Sequence, residues 1–223
     1  MKNLATLAAA GLITLSSASF ASALERVRGT IEKADGSTLT IKTEDGKSET
    51  VDVGGAKFAW VVKSSLDQIK DGVFIGTATK GENPMTALEV VLFPESMRGT
   101  GEGHYGWDSI TDHTAGGGAK VKSAMTNGTV KAGEAPKVKS SMTNATVSGT
   151  QDSAGAKTLN VSYGKDGTKT IVVPPAAPVV AFEPADKAIL TPGSKVFAVV
   201  AKDGGKAEGK LVAVGKDGIT PPM

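Results

Sequence analysis

The chain repeats a three-stranded unit, and that repetition points to two similar β-bodies. In the first copy Val27, Gly29 and Ile31 alternate with Arg28 and Thr30, the period-two pattern of a strand. Asp35-Gly36 supplies residues that tolerate positive φ, so a hairpin turn is expected there. Leu39 and Ile41 then alternate with Thr38, Thr40 and Lys42, giving one apolar and one polar face. Asp45-Gly46 marks a second turn, and Val51 and Val53 a third strand. Both Asp-Gly pairs are read as turn chemistry rather than as ligand groups.

The second copy opens at Val147-Ser-Gly-Thr150. Gly149 falls against Gly29, Leu159 against Leu39, Val161 against Ile41, Asp166-Gly167 against Asp45-Gly46, and Ile171 and Val173 against Val51 and Val53. The match runs on: Asp71-Gly72 falls against Pro192-Gly193, Thr77–Gly81 against Val200–Gly204, and Ala87–Val90 against Lys210–Ala213. Self-similarity over about 70 residues signals two copies of one domain rather than a solenoid of short repeats.

Between the third strand and the next lies an extended apolar segment, Phe58–Val62, then Leu66 and Ile69 on one face of a short helix that Ser64 or Ser65 can cap and Asp71-Gly72 ends. Two further strands follow, Val73–Thr79 and Ala87–Phe93. Three strands, a short helix and two strands is the element order of an OB-fold, a small partly open barrel. In the second copy Pro174, Pro175 and Pro178 force an edge or a loop after the third strand. The expected architecture is therefore all-β. It comprises a signal peptide (1–23), a five-stranded OB-like barrel with one short helix (24–97), a Gly-rich linker (98–143), a second such barrel (144–217) and a loose tail (218–223).

Residues 1–23 carry Lys2, an apolar run from Leu4 to Leu15 too short for an ordinary membrane span, and Ala21-Ser22-Ala23, a small-residue cleavage pattern. Cleavage after Ala23 and a periplasmic or secreted location are expected. No cysteine is present, which excludes thiol catalysis, thiolate metal sites and disulfides, and suits a bacterial periplasmic protein. The formal charge of +2 gives no electrostatic drive toward nucleic acid or anionic membranes. After Leu24 no segment would span a bilayer as a helix.

The middle of the chain is different. Arg98-Gly-Thr-Gly-Glu-Gly-His-Tyr-Gly-Trp-Asp108 is glycine-rich, and Thr114–Ala119 has spacer composition. A smaller duplication follows, Lys120-Val-Lys-Ser-Ala-Met-Thr-Asn-Gly-Thr-Val130 and Lys137-Val-Lys-Ser-Ser-Met-Thr-Asn-Ala-Thr-Val147. The second of these runs into the first strand of the second barrel, so the first reads as a spare, either an extra edge strand or a longer loop.

The pattern Gly-Thr-Ile…Asp-Gly-Ser-Thr-Leu-Thr-Ile-Lys-Thr-Glu-Asp-Gly, with Leu66…Asp71-Gly72 and a closing Leu-Glu-Val-Val, resembles an uncharacterised bacterial family of exported OB-like domains. The segment from Arg98 to Asp108 and the Met-Thr-Asn-Ala-Thr-Val segment resemble the linker of its two-domain proteobacterial members. These are turn and strand motifs, so the resemblance implies a fold and no chemistry. Some members are labelled metal-transporter permeases; without a membrane-spanning segment, only an association with metal handling carries over.

The only histidines, His104 and His113, lie in the glycine-rich middle, and neither a phosphate-binding loop nor a dinucleotide fingerprint is present, so no enzymatic activity and no catalytic residue is expected. His104, Asp108, Asp112 and His113 fall within ten residues, a set that would suit Zn, Ni or Cu(II) as a divalent-metal site, while Met125 and Met142 would favour Cu(I). The spacings match no established ligand pattern, which favours a solvated polar loop and no cofactor. Phe58 and Trp60 are expected in the core. Tyr105 and Trp107 are the exposed aromatics, able to pin the linker onto a barrel or to meet a partner. The expected function is non-catalytic binding of a periplasmic protein or small ligand, the alternative being a metal-binding accessory protein that uses the His-containing linker.

Overall fold

The structure, a computed structural model, describes residues 23–114, 118–131 and 155–222. It is all-β. Thirteen strands are described, and short 3₁₀ turns are the helical elements among them. The signal-peptide segment and the second Lys137–Val147 copy lie outside the described residues.

The first sequence unit forms its hairpins where the pattern places them. Strands β1 (Ala23–Asp35), β2 (Thr38–Thr43) and β3 (Ser48–Asp52) pair antiparallel in order. Gly36 and Gly46 sit at φ +59° and +84°, the left-handed geometry for which the Asp-Gly pairs are suited. The strands that complete this ring come from the other end of the chain. Strand β12 (Lys195–Asp203) pairs with β1, β13 (Lys206–Gly215) pairs with β12, and Glu208 of β13 meets Asp52 of β3 in parallel. Inside it Val27, Ile31, Leu39, Ile41, Val51, Val196, Ala198, Val200, Val212 and Val214 form one aliphatic core. Full burial of each of the larger side chains contributes about 1.5–3 kcal/mol.

The second ring mirrors the first. Strands β5 (Phe74–Lys80) and β6 (Met85–Leu92) come from the first sequence unit. They combine with β8 (Lys120–Lys131), β9 (Lys157–Tyr163) and β10 (Gly167–Val173), and β10 closes in parallel on β6. The interior holds Ile75, Ala87, Val90, Val130, Leu159, Val161, Ile171 and Val173.

Each ring therefore draws strands from both sequence units, so the rings are not two consecutive stretches of chain as the tandem reading expects. The exchange is carried by β4 (Lys57–Lys63) and β11 (Val179–Ala185). Strand β4 runs parallel to β13 along the part of the same edge beyond β3; β11 does likewise to β6 beyond β10; and the two pair antiparallel with each other. Both are apolar on both faces, as a strand between two bodies must be. Ala59, Val61, Val180 and Phe182 enter a third core between the rings with Phe74, Val91, Phe93, Phe197, Leu211 and Ala213, while Phe58 and Trp60 pack on the first ring's core. Phe93 meets Phe74 and Phe182 edge-on, at 5.5 and 5.1 Å between centroids.

Three expectations change. The short helices are single 3₁₀ turns, Leu66–Gln68 and Lys187–Ile189; Ser65 makes no capping hydrogen bond, whereas the Asp186 side chain accepts one from Ala188 N. Three residues are too few for an α-helical ladder. The stretch read as a linker contains β7 (Gly103–Thr111) and β8, paired with each other. Strand β8 is no spare: β5 takes one of its edges, and β7 then β9 take the other. The tail is docked, with Ile219 packed on the inter-ring core and Pro221 buried, because both carry apolar surface.

Candidate ligand-binding groove

Where the outer faces of the two rings diverge they leave a half-open groove of about 740 Å³, a volume within the range of small-molecule sites. One wall belongs to the first ring. Its strands alternate, so while Val27, Val196, Val200 and Val212 point inward, Leu24 and Arg26 of β1, Phe197 and Val199 of β12 and Leu211 of β13 face out, with Lys57 beside them. Met125 and Asn127 of β8 and Phe93 form the opposite wall, and Tyr105 and Trp107 of β7 with Thr100–Glu102 close one side.

Strand β7 is clipped across the groove by charge and stacking. Asp108 accepts from Arg28 Nη1 at 2.8 Å and from Arg26 Nη1 at 3.3 Å. The Arg26 guanidinium lies 3.8 Å from the Trp107 ring centroid, within cation–π range. Trp107 also packs on the inter-ring core and on a smaller cluster of Ala78, Leu88, Ile110 and Met125. Tyr105 stays 36% exposed, and its hydroxyl donates to Gly101 O. Burial raises its pKa, against the lowering charge of Arg26.

Two groove residues retain unused polar atoms. Asn127 is 7% exposed and its Nδ2 donates to Thr100 O and to the Tyr105 hydroxyl, but its Oδ1 has no hydrogen-bond partner among the described residues; nor has Trp107 Nε1. A buried polar atom left unpaired costs roughly 1–3 kcal/mol, so both are marked positions. Glu89 of β6 is also buried, and its Oε1 has no hydrogen-bond partner among the described residues. Burial pushes its carboxyl up to about 8, against the opposing charge of Arg28.

The four residues read as a metal set do not converge. His104 Nδ1 is 2.9 Å from Thr126 Oγ1, and burial together with Lys169 lowers its pKa. Asp108 is engaged by the two arginines. Burial opposes ionisation of Asp112, but hydrogen bonds from Lys80 and Thr114 outweigh it and lower its carboxyl to about 2. His113 is exposed. Among the described residues no three His, Asp or Glu side chains group as metal ligands would. Met125 is buried among apolar side chains, and Met142 lies outside the described residues.

The pattern of the sequence did not single out Asn127, Phe93, Phe197, Lys57 or Lys210. One signal was present: Val196–Val200 is apolar on both faces, more than a barrel strand with one solvated face requires. Comparison of the chain with protein-family models, curated proteins and solved structures finds no match in any of the three.

Proposed function

We propose that this is a non-catalytic binding protein of the periplasm, that each ring is an OB-like barrel of the exported bacterial family the sequence resembles, and that the ligand lies in the groove between the rings. The barrel assignment is supported by the strand order, first–second–third–fifth–fourth–first, with third and fifth parallel, in both rings. Export is supported by the basic start, apolar run and Ala-Ser-Ala of residues 1–23 and by the lack of cysteine. The observation that carries the binding role is the groove itself: aromatic and aliphatic walls, charges along its border, and no histidine among its lining residues. A concave apolar site with few polar groups is the form that small-ligand recognition takes.

The chain has two tryptophans, so Trp60→Phe leaves Trp107 as the only indole reporter. The neutral probe N-phenyl-1-naphthylamine should accept energy from Trp107 saturably. Val199→Glu and Tyr105→Ser, which alter opposite sides of the groove, should each weaken that binding at least fivefold with the circular dichroism unchanged. Non-saturable transfer, or transfer indifferent to both variants, would remove the groove as the site.

A further inference from the structure

The groove's charges are arranged unequally, and a backbone irregularity contributes to this. Across β12 and β13, Val199 opposes Leu211 and Val200 opposes Gly209, so Lys210 is the extra residue of a β-bulge. A bulge breaks the in-and-out alternation and re-aims a side chain. Here it lets Lys210 join its neighbour Leu211 in lining the groove, when strict alternation would have turned it away. Lys57 is opposite Leu211 on the adjoining strand and lines the same wall. It makes no ion pair among the described residues. Lys210 is paired with Glu208 at 2.9 Å, but both side chains are about half exposed, at 46% and 56%, and such a pair is weak enough to give way to a ligand.

The other acidic groups nearby are directed elsewhere. Asp108 faces Arg26 and Arg28, and Glu102 Oε1 accepts from Gly164 N on the β9–β10 turn. From Lys57 and Lys210 the wall runs apolar along Leu211 and Phe197 to Trp107, and the spare polar atoms of Trp107 and Asn127 lie beyond. Export as proposed above would also leave the α-ammonium of Leu24 at this groove.

We propose that the groove takes a small amphiphile with an apolar body and a single anionic head (carboxylate, sulfonate or phosphate), the head held by Lys57 and Lys210 and the body lying along Phe197 and Trp107. This rests on the groove being the binding site, and charge complementarity selects the class. A neutral ligand would draw nothing from the charges of Lys57 and Lys210, and a cationic head would meet Lys57, Lys210 and Arg26 together. Each charge-assisted contact to the head strengthens binding by roughly tenfold where it is well formed.

Two probes of nearly one skeleton test the head alone: 8-anilino-1-naphthalenesulfonate, and N-phenyl-1-naphthylamine, which lacks the sulfonate. With Trp107 as donor, the sulfonate should bind at least tenfold more tightly. Lys57→Gln/Lys210→Gln, which alters two exposed side chains, should erase most of that advantage and leave the neutral probe within twofold. Raising the salt concentration should weaken only the sulfonate. Equal affinity of the two probes overturns the anionic head, and a preference that survives in the double variant overturns its placement on Lys57 and Lys210; either result leaves the groove as the site. Failure of both probes to bind saturably overturns the groove reading and this inference with it.

Discussion

Glu89 shows how one side chain can make a whole fold pH-dependent. It lies at the second ring's bulge, where Ala78 opposes Glu89 and Thr79 opposes Ala87, leaving Leu88 extra. The first ring has the corresponding bulge at Lys210, whose side chain lines the open groove, whereas Glu89 is buried within reach of the Arg28 charge. Burial raises its carboxyl from 4.5 to about 8, so between those values the folded chain holds a proton that the unfolded chain has released. Folded proteins that bind the extra proton lose stability as pH rises. The loss should begin near pH 4.5, end near pH 8, and have a slope of at most about 1.4 kcal/mol per pH unit. Glu89→Gln should flatten urea-melt stabilities across this window and exceed the parent at pH 9. Parallel curves for parent and variant would show that Glu89 titrates normally.

Among the elements, β8 shows what the seat of a first strand asks of a sequence, and its segment Lys120–Val130 has a near-copy in Lys137–Val147. The two segments differ at two places, Ala124 against Ser141 and Gly128 against Ala145. Gly128 lies so close to β9 that a Cβ there would overlap the Ser162 carbonyl and crowd the Val161 side chain. Gly29 has the same relation to the Lys42 carbonyl in the first ring. The seat for a first strand thus requires glycine at this point, as Gly29 and Gly128 provide in the two rings. Gly128→Ala should cost about 2 kcal/mol in urea denaturation, within the range of overpacked sites. Gly106→Ala, at a position with nothing within 4 Å of the added carbon, should stay within about 0.5 kcal/mol. Equal costs for the two would show that the close approach at Gly128 relaxes without strain.

The whole molecule is one interlocked body because neither sequence unit owns a complete ring. Strands β1–β3 are completed by β12 and β13, and β8–β10 by β5 and β6. Separating the chain into 24–143 and 144–223 would leave each piece with incomplete sheets and exposed aliphatic cores. Expressed alone, neither piece should show a cooperative thermal transition; expressed together, they should co-purify and regain one. Two barrels confined to their own sequence units would behave oppositely, each fragment melting cooperatively by itself.

Local pattern determined the strands and turns of the first unit, while β7 and β8 lie in a stretch whose composition reads as linker. Period-two alternation marked β1, β2 and β3, Asp-Gly pairs marked their turns, and the prolines at 174, 175 and 178 marked the break before β11. The doubling was legible too, since it is a property of residue order. What could not be read was the pairing. A strand edge with a given alternation accepts either of two partners of similar pattern, so β3 and β4 could meet the last strand of their own unit or that of the other. The groove is legible only with that exchange in place, because its walls are outer faces of rings built from both units. Tertiary structure settled the choice through features that act across distance: the doubly apolar β4 and β11, which need cover on both faces, and the close approach of Gly128 to β9.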